Sequence, residues 1–294
     1  MTGFRFILFA LVFAALSLAG HARADEPLRV VASFSVLADI VAQVGGEDVA
    51  VTSLVPMGED PHSWRSGPHD RATLAGAGLV VANGLGLEAW LDRLVANAGY
   101  RGPVLIASRG VEALPGPSGA PDPHAWHSLA AVRSYARDIS VTLIGLRPDR
   151  AEALRARLRR FLAELDELDR WARGRLDAIP PEKRVIVTGH GGFAWLGRDF
   201  GIRVVSPPGL DSVTAPAAER MAELVAAVRA AGVRAVFLDG RSDPAIGHTL
   251  AEEAGVHVGA ALFADTLTPE CGLANDYLSL WRNNFALITE TMNW

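Results

Sequence analysis

The tripeptide Asp-Pro-His occurs twice in the chain, as Asp60-Pro61-His62 and Asp122-Pro123-His124. A third histidine, His190, ends the stretch Val185-Ile186-Val187-Thr188-Gly189-His190, and Asp265 follows an apolar run that ends near Phe263. Together these four make a donor set of three imidazoles and one carboxylate. Zn²⁺ takes such a set at bond lengths of about 2.0–2.2 Å. Ca²⁺ and Mg²⁺ want mostly oxygen, and Mn²⁺ sits lowest in the affinity order and favours more oxygen ligands. No thiolate is offered, which disfavours Cu(I).

Any one of these histidines is more often a surface or core residue than a ligand, and Asp-Pro-His is also an ordinary turn. Its repetition in two successive loops sets it apart. The other histidines read differently. His21 lies in the leader described below, His69 and His248 fall on predicted helices at the surface, and His257 begins a strand. His127, three residues after His124, is either a spare ligand or a bystander. Trp64 and Trp126 each stand two residues beyond a Pro-His pair, and serve either as an apolar wall that dries the site or as packing between lobes. Glu59 is the best candidate for a general base beside the set.

The segments that must present these residues alternate between strand and helix. Runs at 28–34, 49–55, 79–82 and 104–107 read as strands, with a helix over 36–44 and further helical stretches between. Apolar runs separated by helical patterns predict mainly parallel sheets covered on both faces. From Pro148 to about residue 179, Leu154, Leu158, Phe161, Leu162, Leu165 and Leu168 recur at helical spacing, and Pro180-Pro181 stops the run. About 30 residues at 1.5 Å each predict a connector on the order of 45 Å long. Alternation then resumes: strands at 184–188, 203–206, 235–238 and 256–263, and helices at 192–200, 216–231, 244–254 and 275–291. The expected fold is α/β, with two similar lobes of mainly parallel sheet flanked by helices and joined by one long backbone helix. The expected divisions are a signal peptide over 1–24, an N-terminal lobe over 25–147, the connecting helix over 148–180 and a C-terminal lobe over 181–294. Each of the four donors follows the carboxyl end of a strand, the edge where open parallel sheets bind ligands, and each lobe supplies two.

Half of the 294 residues are hydrophobic, enough for one large core or two modest ones. Arg5, an apolar run from Phe6 to about Leu18, and Ala22-Arg23-Ala24 form the pattern of a secretory signal with an A-x-A cleavage site. The run is short for a membrane span. His21 follows Leu18-Ala19-Gly20 where a lipoprotein signal would have cysteine, so the sequence predicts a soluble periplasmic protein cleaved near Ala24, without a membrane anchor. Cys271 is the only cysteine, so no intramolecular disulfide forms. The formal charge of −5 becomes −7 once Arg5 and Arg23 leave with the leader. This balance argues against nucleic acid and anionic membranes as partners, and a monomer is expected.

The chain resembles the zinc/manganese substrate-binding proteins of bacterial ABC importers, the ZnuA/TroA-like family. Val55-Pro56-Met57-Gly58-Glu59-Asp60-Pro61-His62 is similar to the family's first-ligand motif, and Pro121-Asp122-Pro123-His124-Ala125-Trp126 to the second. Val187-Thr188-Gly189-His190-Gly191-Gly192-Phe193 is similar to the third, and Leu262-Phe263-Ala264-Asp265-Thr266-Leu267 to the fourth. Tyr277, Arg282 and Asn284 fit the closing helix. The resemblance implies a two-lobe fold with a long backbone helix, Zn²⁺ as cargo on His62, His124, His190 and Asp265, and delivery to a membrane permease, without enzymatic activity. It also marks departures. Gly191 stands where the family usually has Asp, Leu238-Asp239-Gly240 replaces a Val-Glu-Asn type of segment, and the Pro115–Pro121 region lacks the histidine-rich loop of many zinc members. A histidine at 190, where manganese-preferring relatives often carry Glu, tilts the expected cargo toward zinc over manganese. Three rivals remain: a zinc-dependent hydrolase with Glu59 as base, a binder of an organic solute, and an adhesin on the same scaffold.

Overall fold

A computed structural model describes residues 26–116, 119–189, 191–207, 217–238 and 244–293. The expected leader and His190 lie outside the described residues.

The first lobe alternates β1 (Leu28–Phe34), α1 (Ser35–Gly45), β2 (Val49–Val55), α2 (Pro68–Ala75), β3 (Leu79–Ala82), α3 (Leu91–Asn97) and β4 (Val104–Ile106). Its sheet runs β2-β1-β3-β4, and every pairing is parallel. Burial explains the order. The last five residues of β1 and all four of β3 are buried, as central strands covered on both faces require. The edge strands β2 and β4 keep exposed or half-buried positions. Helix α1 covers the sheet with Val36, Leu37, Ile40, Val41 and Val44, a stripe at helical spacing.

The second lobe repeats the plan. It contains β5 (Val185–Thr188), β6 (Arg203–Val205), β7 (Ala235–Phe237) and β8 (His257–Val258), ordered β6-β5-β7-β8 and again all parallel. The two sheets share one connection order. Two long helices lie between the lobes in sequence, α4 (Leu129–Leu146) and α5 (Ala151–Leu176). Shorter helices follow β5, β6 and β7: α6 (Ala194–Phe200), α7 (Ala218–Ala231) and α8 (Pro244–Ala254). Helix α9 (Tyr277–Met292) closes the chain. Gly232, φ +69°, ends α7 in the left-handed conformation expected of a glycine after a helix.

Helix α5 has 26 residues, about 39 Å at the helical rise. It buries Leu154, Phe161, Leu165, Leu168, Ala172 and Leu176 along one stripe. Arg157 near its start pairs with Asp48 of the first lobe at 2.6 Å, and Arg175 near its end donates to Thr289 of α9 at 2.8 Å. The largest core runs continuously through both lobes, and Phe34, Trp126, Phe193, Trp195, Trp281 and Phe285 are all buried within it. A smaller core under the second sheet gathers Val187, Leu224, Val228, Val236 and Leu250.

Three expectations are corrected. The connector is shorter than the reading from Pro148 to residue 179, because Pro148–Arg150 forms a separate 3₁₀ turn before α5. Helix α4 has no counterpart in the sequence reading. The last strand, expected over 256–263, is only His257–Val258. The following Gly259-Ala260-Ala261 has no β-branched side chain, and the chain leaves the ladder to carry Leu262 and Ala264 into the core. Among the described residues no helix is long and apolar enough to cross a membrane.

Candidate metal centre

The two Asp-Pro-His segments are built alike. After β2, Asp60 Oδ1 accepts the His62 N–H at 2.9 Å. After β4, Asp122 Oδ1 accepts the His124 N–H at 2.9 Å. Both are aspartate turns in which the carboxylate bonds the backbone two residues on. Each proline carbonyl is held from elsewhere in the first lobe: Trp90 Nε1–H donates to Pro61 at 2.8 Å, and Asn83 Nδ2 to Pro123 at 2.9 Å. Asn83 is fixed in turn by the Tyr135 hydroxyl at 2.8 Å and by its own N–H on Glu88 at 2.7 Å. Burial pushes the Glu88 carboxyl above its ordinary range, and hydrogen bonds from Ser33, Asn83 and Gly84 pull it part of the way back.

The second segment carries a contact to the histidine ring. Asp122 Oδ1 also lies 2.7 Å from His124 Nδ1, and both residues are buried. An ionised carboxylate only accepts, so Nδ1 carries the hydrogen and Nε2 keeps its lone pair for a cation.

Asp265 reaches this point from the other lobe. Trp126 Nε1–H donates to the Ala264 carbonyl at 2.8 Å. Asn284 of α9 brackets Phe263, accepting its N–H at 2.9 Å and donating to its carbonyl at 2.7 Å. On the other side, Thr266 Oγ1 accepts the Gly58 N–H at 2.7 Å, which ties this loop to the one carrying His62.

Three of the four expected donors therefore meet. His62 Nε2 and His124 Nε2 are 3.2 Å apart, Asp265 Oδ2 lies 3.7 Å from the first, and Asp265 Oδ1 lies 3.6 Å from the second. Atoms bonded tetrahedrally to one ion at about 2.1 Å are separated by about 3.4 Å, so the spacing fits a single shared cation. His62 is the most open of the three at 28% side-chain exposure, while His124 and Asp265 are buried. The fourth expected donor, His190, lies outside the described residues.

The other candidates separate cleanly. Trp126 is buried and packs edge-on to His124 at 5.1 Å and on Phe34 at 4.8 Å, which walls the site, while its bond to the Ala264 carbonyl joins the lobes. Trp64 lines a separate cavity with Thr52, Arg65 and His69. His127 Nε2 is 2.9 Å from the Ala264 carbonyl, a core contact that a ligand could not make with the same atom. His69, His248 and His257 are exposed, as is Glu59, at the rim of a cavity of about 430 Å³ that Asp265 also lines. Cys271 is a free, exposed thiol. Sequence reading missed Asn83, Trp90 and Ser35, whose Oγ accepts the Leu267 N–H at 3.1 Å, and gave Asp122 no role of its own. Only Asp122 left a local signal, an Asp two residues before a His.

Comparison with known proteins identifies the family. Residues 30–291 match a family described as ZnuA, zinc-uptake complex component A periplasmic. The manganese-binding lipoprotein MntA of Halalkalibacterium halodurans is 31% identical over 90% of this chain and 88% of its own. The iron ABC transporter substrate-binding lipoprotein MtsA of Streptococcus pyogenes serotype M1 is 27% identical over 90% of this chain and 89% of its own. The solved structure of the Mn-bound periplasmic metal binding protein from candidatus Liberibacter asiaticus superposes with a TM-score of 0.81 at 26% identity, covering 90% of this chain and 99% of that one.

Fold, site and relatives define a metal-binding, substrate-binding component of an ABC importer, a class that works with a membrane permease. Within that class, the chain belongs to the ZnuA family.

The relatives also correct an expectation. MntA and MtsA are named lipoproteins, a membrane-anchored form, and this overturns release as a freely diffusing periplasmic protein without an anchor.

Proposed function

We propose that this chain captures Zn²⁺ between its lobes on His62, His124, His190 and Asp265, and hands the ion to the permease of its importer without transforming it. The observation that carries the reading is the convergence of two imidazole nitrogens and a carboxylate within 4.8 Å, supplied by loops of both lobes. The Asp122–His124 pair supports it, since a carboxylate behind a histidine raises ligand basicity and fixes the ring. His190 completes the set as the fourth donor, and one copy of the chain then suffices to hold the ion. With four donors no position stays open for an attacking water, the requirement of a zinc hydrolase, and Glu59 sits exposed at the rim.

A second reading has specific support. MntA is named for manganese and MtsA for iron, so Mn²⁺ or Fe²⁺ is the alternative cargo on the same residues. Chelator competition with Zn²⁺ and Mn²⁺ on the wild type and on His62→Ala, His124→Ala, His190→Ala and Asp265→Ala tests both readings. Zinc bound more tightly than manganese, with every variant weakened, is the expected result. Manganese bound more tightly replaces the cargo, and unchanged affinity in all four variants removes the site.

A further inference from the structure

His127 is fully buried where three site-bearing segments meet. It ends the 3₁₀ turn Ala125–His127 that follows His124. Its Nε2 stands 2.9 Å from the carbonyl of Ala264, the residue before Asp265. Its ring lies 4.6 Å from that of Phe193, which ends the Gly191–Phe193 turn just past His190. Its own carbonyl accepts the Trp281 Nε1–H at 3.0 Å.

A position that served packing alone would be filled by an apolar residue of similar size, because an imidazole costs free energy to bury unless its N–H finds an acceptor. Here it finds one. A carbonyl cannot donate, so Nε2 carries the hydrogen. The same oxygen takes the Trp126 Nε1–H at 2.8 Å. Two donors from consecutive residues of the first lobe thus use both lone pairs of one carbonyl of the second. With both directions taken, the Ala264–Asp265 peptide plane cannot rotate freely, and Asp265 is the next side chain along it.

We propose that His127 is a positioning residue of the metal centre: its Nε2–H holds the Ala264 carbonyl and, through that peptide, aims the Asp265 carboxylate at the ion shared with His62 and His124. The inference rests on the reading of Asp265 as a ligand. Residues that orient ligands in this way typically change metal affinity by about 10–100-fold when removed.

The test compares wild type, His127→Leu and His127→Gln in the full chain, stripped of metal. Leucine keeps apolar bulk without the donor, and glutamine returns an N–H close to where Nε2 stood. Zn²⁺ affinity is read by chelator competition, ligand geometry by the visible absorption of the Co²⁺ form, and packing by the melting temperature of the metal-free protein. The expected result is affinity about 10–100-fold weaker with an altered Co²⁺ band for leucine, and recovery of both for glutamine. Leucine with wild-type affinity and an unchanged band overturns the proposal. So do equal losses in both variants that track their melting temperatures, since packing alone then accounts for His127. Should the leucine variant fail to fold, His127→Met provides the same contrast with glutamine. Wild type that binds no metal fails the ligand reading itself, whereas wild type that binds beside an unaffected leucine variant fails this inference alone.

Discussion

The two Asp-Pro-His turns share a backbone plan. Asp60 caps the His62 N–H and takes the Ser63 hydroxyl, whereas Asp122 caps the His124 N–H and also binds its ring. The ring bond to Asp122 therefore pre-sets His124 as a ligand, and His62 is the more exposed of the two. Replacing Asp122 with Asn keeps an oxygen for the backbone cap and removes the charge behind the ring. Zn²⁺ affinity measured by competition should fall by about tenfold or more, with far-ultraviolet circular dichroism unchanged. The three donors that meet, His62, His124 and Asp265, were legible in the sequence as residues of loops that follow strands. Their supports were not. Trp90 reaches Pro61 across 29 residues and Asn83 reaches Pro123 across 40, contacts that only the folded sheet brings about.

At the scale of elements, β1, β2, β3 and α8 fall where the apolar patterns put them, residue for residue. Continuous burial leaves these segments with one workable assignment. Helix α4 escaped because Val132, Ile139, Val141, Thr142 and Ile144 mix β-branched residues into a helical repeat. Tertiary packing against α5, including Arg133 on Asp166 at 2.8 Å, overrides that local preference. Helix α5 holds its place through its buried stripe. Phe161 is fully buried and meets Tyr277 of α9 edge-on at 6.3 Å. Phe161→Ala should destabilise the fold by about 3–5 kcal/mol, read from urea unfolding. The closing helix depends on its cap. Asp276 accepts the Ser279 N–H at 2.7 Å, and Asp276→Ala should cost about 1 kcal/mol.

At the scale of the whole molecule, the lobes are joined by more than the connector. Asp39 of α1 accepts the Tyr277 N–H at the start of α9 at 2.9 Å. Burial pushes the Asp39 carboxyl up to about 6, against the Tyr277 hydrogen bond and with the Asp276 charge adding to the rise. A carboxyl whose folded value is raised favours the fold most when protonated. Its contribution is complete below the unfolded value of 3.8 and is lost as pH rises through about 6. Above that, the ionised group costs on the order of 3 kcal/mol. Asp39→Asn, which keeps an acceptor for Tyr277, should therefore raise the stability of the metal-free protein at pH 7 and flatten its change between about pH 4 and 6. Urea midpoints of wild type and variant at both ends of that window check the sign. Metal occupancy should add to this joining of the lobes, since an ion bound only by the folded form stabilises it by about 2.7 kcal/mol at a free concentration one hundred times its Kd.

All of this depends on one ion being held by residues of both lobes. Anomalous diffraction at the zinc edge, on crystals of the chain loaded with Zn²⁺, observes that directly. The expected map has a single strong peak about 2.0–2.2 Å from His62 Nε2, His124 Nε2 and an Asp265 oxygen, with His190 as the fourth ligand. A peak elsewhere, or one bonded only to residues of a single lobe, contradicts it.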